Sequence, residues 1–437
     1  MTVQKVKSRQ TVAKGYYSSP WSCEDGGPER QQVPTGLNGL NITASDSIKT
    51  VSRRLQVGNM VLLRDPGEVY LMCHDSLRDL VGLSCSAYIE KIDPKTLQPI
   101  KKSPRLPGGP MWPGGFAIHR NGDLYVTFGR CMHRLNPECE LVNSYQLPQN
   151  LAYNSHVILD SGYLVTKPIA STGATQLLFM DPDSLTPACI IDMPEPSISR
   201  LSASGNTVYV TGVTTIYRYY FDADTKTATL DENWSLDYVG NSTQSYGWDP
   251  VIDDDNIWFM DNGEHTAYTS MLNAGVSPTP NNIIRVSTRD CQDYSITPIV
   301  NAAYGSVTNP PLYCKQRRIL VAYDSANSVV QAWRHDVKTN ELSPLWQRQG
   351  FGMVGHGIYY PNTGELITED YQSLKTLQGL KNGEQSVILD IETGRERARF
   401  PMKHYIQSFC FPSPGFNRDY YWLGMDKLTY VSFQPIA

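Results

Sequence analysis

Short runs of apolar residues alternate with tight turns along almost the whole chain. Eight runs with strand character each follow a turn, and a shorter apolar run precedes each turn, so a strand, a turn and a strand recur eight times. We find no segment with the 3.6-residue period of an amphipathic helix, and the chain is therefore predicted to be all-β. The eight runs are GEVYLMC (from Gly67), NGDLYVT (Asn121), SGYLVTK (Ser161), GNTVYVT (Gly205), DNIWFMD (Asp255), RRILVAY (Arg317), GELITED (Gly364) and DYYWLGM (Asp419).

A second kind of turn follows most of these strand pairs. It has the form Asp-x-x-Thr/Ser and occurs as DPKT (Asp93), DPDS (Asp181), DADT (Asp222), DVKT (Asp336) and DIET (Asp390), with NPEC (Asn136) and STRD (Ser287) in two further units. An Asp or Asn that opens such a turn accepts a hydrogen bond from the backbone two residues on. Apolar runs flank these turns, so each unit is predicted to contain about four strands.

Four-stranded units spaced roughly 40 to 65 residues apart are typical of a β-propeller. We predict eight blades, with seven as the alternative if one strand pair is misassigned. The last unit starts near Ile406 and has only about three strands before Ala437, so an N-terminal strand near residues 48–56 is expected to close the ring. Residues 36–437 are predicted to form one propeller domain, and residues 1–35 a tail or a cap across one face.

The DIETG turn, with Asp390, Thr393 and Gly394, resembles the turn of quinoprotein (PQQ-like) propeller repeats. The four-stranded units also resemble those of the SMP-30/gluconolactonase group. The resemblance covers residues 57–437 and concerns the fold pattern. It implies a ring of four-stranded blades and adds a quinone-dependent oxidoreductase to the functions considered. The quinoprotein pattern has a tryptophan eight residues after the Asp, where this chain has Ala398 and, at the Asp93 turn, Lys101.

Composition and charge narrow the classes of partner. The 437 residues carry a net charge of -5 without a long run of one sign, which gives no reason to expect a nucleic-acid or anionic-membrane partner. No run of about 18 apolar residues could span a membrane. The nine cysteines are scattered without a CxxC motif, and the first residues lack the apolar core of a signal peptide. We therefore expect reduced thiols and a cytoplasmic protein.

The first strand of each propeller blade lines the central channel, so equivalent positions collect at one mouth, called the top here. Long insertions at residues 75–84, 265–280 and 371–383 are also expected to project from the top, where binding loops would lie. The acidic run Asp253–Asp255 falls at the opposite face and lacks the ligand spacing of a calcium loop, so it is predicted to be a structural turn. The eight positions where first strands begin are predicted to be Asn59, Phe116, His156, Arg200, Asp249, Asn309, His356 and Gln407.

Several of these residues could carry chemistry. His156 and His356 lie four blades apart, across the channel, and could act as general acid and base. Asp249 could orient a histidine or a water, and Arg200 could neutralise a carboxylate or an oxyanion. Alternatively, the two histidines and a carboxylate could bind a divalent metal that activates water. The structural alternative is that Arg200 and Asp249 form a salt bridge that closes the channel.

The predicted function is an enzyme that acts on a small organic molecule at the top mouth, by acid–base or metal-assisted chemistry. Hydrolysis of a lactone or ester is the first hypothesis, with lyase and isomerase reactions also compatible. The cofactor is unknown, with a divalent metal as the candidate. The alternatives are a protein-interaction scaffold and a quinone-dependent oxidoreductase. The residues predicted to contact the substrate are Lys167, Trp248, Asp261, Tyr323, Glu369, Tyr405 and Gln407.

Overall fold

The computed structural model is an all-β propeller of eight four-stranded antiparallel blades. It describes residues 12–75, 78, 81–109, 115–240, 244, 246–261, 278–307, 309–371, 383–402, 411–424 and 426–436. The eight-blade prediction is thus confirmed. Within these residues no helix is long and apolar enough to cross a membrane, and the eight cysteines are free thiols.

Each blade runs from an inner strand at the channel to an outer strand at the rim. Blade one contains β2 (Val57–Leu63), β3 (Val69–His74), β4 (Ser86–Ile92) and β5 (Pro99–Lys102), with β6 (Leu106–Pro107) beside β4, and blade two contains β7 (Gly115–Ile118), β8 (Leu124–Phe128), β9 (Cys131–Leu135) and β10 (Leu141–Gln146). Blade three contains β11 (Tyr153–Ile158), β12 (Leu164–Pro168), β13 (Gln176–Met180) and β14 (Pro187–Asp192). Blade four contains β15 (Ser202–Ser204), β16 (Thr207–Thr211), β17 (Thr215–Asp222) and β18 (Thr227–Asp237).

The second half of the chain repeats the arrangement. Blade five contains β19 (Val251–Ile252), β20 (Asn256–Met260), β21 (Asn282–Ser287) and β22 (Tyr294–Pro298), and blade six contains β23 (Leu312–Cys314), β24 (Ile319–Asp324), β25 (Val329–Asp336) and β26 (Glu341–Gln349). Blade seven contains β27 (Ile358–Tyr360), β28 (Glu365–Tyr371), β29 (Glu384–Asp390) and β30 (Glu396–Pro401). Blade eight contains β31 (Ser413–Pro414), β32 (Asp419–Leu423) and β33 (Lys427–Pro435). The eighth blade is completed by β1 (Asp46–Arg54), which pairs with β33 and closes the ring as the sequence predicts.

Burial follows strand position within a blade. The second strands β3, β8 and β20 are buried along their whole length because neighbouring blades cover both of their faces. The outer strand β22 instead alternates between exposed and half-buried residues, as expected for a strand with one solvated face. This gradient explains why second strands appear as continuous apolar runs in the sequence.

The predicted Asp turns form as hydrogen-bonded turns. The carboxylate of Asp93 accepts from the backbone N–H of Thr96 at 2.7 Å, and that of Asp390 accepts from Glu392 and Thr393 at 3.1 and 3.0 Å. The bonds from Thr96 hold the pKa of Asp93 below the usual value. Burial raises the pKa of Asp390, but the hydrogen bonds from Arg397 and Thr393 outweigh it and hold that pKa below the usual value. Each turn joins the third and fourth strands of its blade.

Aromatic side chains connect these turns to the preceding blade. Tyr70, Tyr125 and Tyr421 each lie on a second strand and donate a hydrogen bond to the proline carbonyl of the next blade's turn, at 2.9, 2.8 and 3.0 Å. Tryptophans on two outer strands also donate to backbone carbonyls of the next blade: Trp234 to Ser287 O and Trp346 to Ile391 O. The Trp346 ring also packs on Gly394, where a Cβ atom would lie 2.6 Å from the ring.

We expect each of Tyr70→Phe, Tyr125→Phe and Tyr421→Phe to lower the free energy of unfolding by about 0.5–1.5 kcal/mol, because each removes one hydrogen bond between blades. Urea unfolding monitored by circular dichroism measures this. Tyr304→Phe is the matched control, since the Tyr304 side chain is exposed, and it should leave the unfolding midpoint unchanged. Equal midpoints for all four variants would show that these bonds do not hold the blades together.

Candidate functional site

The N-terminal segment (residues 12–45) runs along the inner strands of the propeller. Its backbone carbonyls at Trp21, Ser22, Pro28, Glu29 and Gln32 accept hydrogen bonds from the inner strands of blades one, two, four, five and seven. The hydroxyl of Tyr16 accepts from blade three at 2.8 Å, and the Gln32 amide donates to blade six at 3.0 Å. The carbonyl of Leu40 accepts from Arg418 of blade eight. The segment therefore contacts all eight blades.

A single 3-10 turn, Glu24–Gly26, places two carboxylates of this segment inside the channel. Glu24 is 8 % exposed and Asp25 3 % exposed. Asp25 has a positive φ of 59°, a region that few residues other than glycine adopt. The Cys23-Glu24-Asp25-Gly26-Gly27 stretch has no strand or helix periodicity, and sequence reasoning did not identify it as part of a site.

The two carboxylates meet charged residues of the inner strands. We call Glu24, Asp25, Arg30, Arg200, Asp249 and His356 the central cluster; all six are buried. Arg200 donates from its backbone N–H and from Nη1 to Asp249, at 2.5 and 3.0 Å, and its Nε lies 3.2 Å from Glu24 Oε1. Asp249 thus forms the salt bridge with Arg200 that the sequence offered as the structural alternative, and it does not contact a histidine in the described hydrogen bonds.

Asp25 is the carboxylate that orients a histidine. Its Oδ1 lies 2.6 Å from His356 Nδ1, so the imidazole donates from Nδ1, while its Oδ2 lies 2.9 Å from Arg30 Nη1. Burial alone would raise the pKa of Asp25, but His356 and Arg30 outweigh it and hold that pKa below the usual value. His356 Nε2 has no hydrogen-bond partner among the described residues and lies 3.6 Å from Glu24 Oε1.

An aromatic ring covers the cluster. The ring of Phe411 stacks on His356 with 4.5 Å between centroids, and it lies 5.5 Å from the Arg200 guanidinium carbon. A ring in these positions excludes water from both polar groups and strengthens the ion pairs beneath it. Within the cluster, three carboxylates face two guanidinium groups.

His156 lines a small cavity together with Glu24. Its Nδ1 is 2.8 Å from Thr127 Oγ1, and its Nε2 has no hydrogen-bond partner in the part of the chain that the structure describes. Burial lowers the pKa of His156 to about 3, with a smaller contribution from His119, so the imidazole is neutral near pH 7. His156 and Glu24 line the same small cavity. The two predicted histidines are therefore both adjacent to Glu24, although His356 does not line that cavity.

Three of the residues predicted to contact the substrate are buried. Lys167 is 2 % exposed and donates to Ser197 O at 3.0 Å, and burial lowers its pKa to about 7. Asp261 accepts from the backbone N–H of Asn282 at 2.6 Å, and burial raises its pKa to about 7. The indole N–H of Trp248 has no hydrogen-bond partner among the described residues.

Glu369 belongs to a pair of buried carboxyl groups. Its Oε1 accepts from the backbone N–H of Val354 at 2.9 Å, and burial together with Glu384 raises its pKa well above the usual value. Glu384 accepts from the indole of Trp422 at 3.0 Å. Tyr323 is buried and donates to Asn309 O at 3.0 Å. Tyr405 and Gln407, predicted to contact the substrate, fall outside the described residues.

The acidic run Asp253–Asp255 forms the turn between β19 and β20. Asp253 accepts from the backbone of Asp255 and Asn256, both at 2.9 Å, and from the Trp258 indole at 3.0 Å. Asp254 pairs with Lys315 and Asp255 with Arg289. The run is therefore a structural turn, as predicted.

One group among the described residues has the composition of a metal site: Glu24, Asp25 and His356, whose potential ligand atoms lie within 4.8 Å of one another. His156 is not part of it. Arg30 and Arg200 already lie within 3.2 Å of the carboxylate oxygens and supply the positive charge that these oxygens require. A divalent ion would have to displace or tolerate both guanidinium groups, so the residues favour an ion-pair cluster over a metal centre.

Solved structures with this architecture confirm the fold-level resemblance. Quinohemoprotein alcohol dehydrogenase from Comamonas testosteroni matches with a TM-score of 0.64 at 9 % identity, covering 96 % of this chain and 81 % of that one. A europium-containing methanol dehydrogenase matches with a TM-score of 0.61 at 8 % identity, over 94 % and 97 % of the two chains. BamB from Moraxella catarrhalis matches with a TM-score of 0.55 at 11 % identity, over 89 % and 98 %.

These identities show a shared fold alone. No family model and no curated protein sequence matches the chain. The described channel centre does not fit a quinone, because the central cluster fills it and the adjoining cavity leaves about 10 Å³ for the centre of a water molecule. That space is far smaller than a multi-ring quinone requires.

Proposed function

We propose that this propeller is an enzyme that acts on a small organic molecule by general acid–base catalysis at the centre of its channel. The observation that carries the proposal is the Asp25–His356 pair, in which a buried carboxylate fixes the imidazole through Nδ1 and leaves Nε2 without a partner. A histidine held in this way is prepared to take a proton at Nε2.

Each residue of the cluster has a role in this proposal. Asp25 fixes the tautomer of His356 and stabilises the imidazolium that forms when Nε2 takes a proton from water or a hydroxyl group. Arg200 stabilises negative charge that develops on the substrate. Phe411 excludes bulk water, and the substrate reaches Nε2 by displacing this ring, because His356 itself is only 3 % exposed.

Hydrolysis of a lactone or ester remains the first reaction to test, followed by lyase and isomerase reactions. All three need a general base and a group that stabilises an oxyanion, which His356 and Arg200 would provide. The proposed substrate is a small molecule. Metal-assisted hydrolysis is the alternative that the ion pairs of the central cluster disfavour, and elemental analysis of the purified protein tests it.

We expect His356→Gln to lower kcat for hydrolysis by roughly 10²–10⁴-fold, since it removes the general base while keeping a polar side chain of similar size. The probes are p-nitrophenyl esters and five- and six-membered lactones, followed by absorbance or pH-stat. Asp25→Asn should give a smaller loss, because the base remains but loses its orienting charge. Thr393→Ala, at an exposed turn, is the control. Unchanged kcat in folded His356→Gln would refute the assignment.

A second candidate function is a protein-interaction scaffold. The observation that favours it is the filling of the described channel by the N-terminal segment and its ion pairs, which leaves room for about one water. In that case the central cluster holds the ring together and the outer surface binds a protein. One stoichiometric partner in a pull-down, together with a wild-type protein inert toward all probes, would favour the scaffold.

A further inference from the structure

Three buried polar atoms near the N-terminal segment lack hydrogen-bond partners among the described residues. They are His156 Nε2, Ser155 Oγ and Glu24 Oε1, the last of which has Arg200 Nε at 3.2 Å and His356 Nε2 at 3.6 Å as neighbours. His156 is 6 % exposed and Ser155 4 % exposed. A buried polar atom without a partner is unfavourable, so three such atoms at one place indicate a bound ligand.

The residues that carry these atoms line one cavity. Its wall consists of Tyr16, Cys23, Glu24, Gly27 and Arg30 from the N-terminal segment, and of Gly115, Phe116, Ser155, His156 and Val157 from blades two and three. The cavity offers about 10 Å³ to the centre of a water molecule, which corresponds to one water. A buried water needs two to four polar partners, and three are present.

Water fits this set of atoms better than an ion does. Glu24 can only accept a hydrogen bond, the Ser155 hydroxyl can donate or accept, and the neutral His156 imidazole donates from Nε2 when Thr127 donates to Nδ1. A single water can accept from His156 and donate to Glu24 at the same time. An anion would meet the Glu24 carboxylate, and a cation would lie beside Arg30.

We propose that this cavity holds one ordered water that accepts a hydrogen bond from His156 Nε2 and donates one to Glu24 Oε1. The water thereby connects His156, on blade three, to a carboxylate of the central cluster. This water site is independent of the proposed enzymatic function.

The direct test is a crystal structure of the full-length wild-type protein at a resolution that shows ordered water. We expect one density peak within hydrogen-bond distance of His156 Nε2 and Glu24 Oε1. An empty cavity with ordered walls would overturn the proposal. The result does not depend on any assay, so it can fail while the acid–base proposal stands, and the reverse is also true.

The link between the water, His156 and Glu24 is also tested by ¹⁵N NMR of the histidine rings. We expect the His156 Nε2 resonance to be that of a protonated nitrogen, with a cross-peak to water. Glu24→Gln should shift the His156 Nε2 resonance. Glu29→Gln, on the same segment but outside the cavity wall, is the matched control and should leave that resonance unchanged. An unchanged His156 resonance in Glu24→Gln would overturn the link.

Discussion

Arg200→Met is expected to destabilise the protein by about 3–5 kcal/mol, the largest loss for any single charged residue considered in this propeller. The substitution keeps the length of the side chain but leaves Asp249, which is fully buried, without its guanidinium partner, and it removes one of the two guanidinium groups that Glu24 contacts. The cost arises because an unpaired charge in the interior is far less favourable than the same charge in water. Urea unfolding near neutral pH measures the loss.

The matched control is Arg289→Met. Arg289 pairs with Asp255, but both side chains are exposed, at 81 % and 60 %, so solvent screens the pair. We expect a change below about 1 kcal/mol. Similar losses in the two variants would mean that the central cluster contributes no more than a surface ion pair, and would remove the basis for treating the segment as an integral part of the channel.

Lys167→Met is expected to stabilise the protein, and to do so more at pH 6 than at pH 9. Burial lowers the pKa of Lys167 from 10.5 in the unfolded chain to about 7 in the folded protein. Between these values the unfolded chain binds a proton that the folded protein lacks, so the lysine's contribution to stability becomes more favourable as pH rises from about 7 towards 10.5. Below pH 7 the folded protein contains a buried cation and the penalty is complete.

The stabilisation by Lys167→Met should therefore be about 2.7 kcal/mol smaller at pH 9 than at pH 6. The difference builds up over the two pH units between the folded-state pKa of about 7 and pH 9. Urea unfolding of wild type and variant at both pH values measures this difference. Lys315→Met, at a half-exposed surface lysine, is the control and should show the same small effect at both. A pH-independent gain from Lys167→Met would mean that the folded protein keeps Lys167 charged.

The ring of blades could be predicted because its determinants are local. The apolar run LYVTF between two turns and the Asp93 turn each specify their own short piece of backbone, and eight repeats of such pieces leave few other architectures. The same alignment gave the approximate starts of the inner strands. Arg200, Asp249 and His356 each lie two residues before an inner strand, and His156 lies within β11.

The partners of those residues could not be predicted, because they come from a segment without periodicity. Glu24, Asp25 and Arg30 lie in CEDGGPER, which reads as a polar loop, and their contacts are with residues up to about 330 positions away. In the described hydrogen bonds Asp25 contacts His356, whereas Asp249 pairs with Arg200. Glu384 was missed because it opens a strand that follows a long insertion.

The pairing of β1 with β33 also bears on how the protein is made. Asp46 pairs with Pro435, about 390 residues later, so a ribosome working at about 5–20 residues per second needs roughly 20 to 80 s to supply the second partner. Until blade eight is complete, the N-terminal segment contacts only the blades already synthesised, and Glu24 and Asp25 lack His356 until that residue has been made. We therefore expect nascent chains that stop before blade eight to remain protease-sensitive and to depend on chaperones.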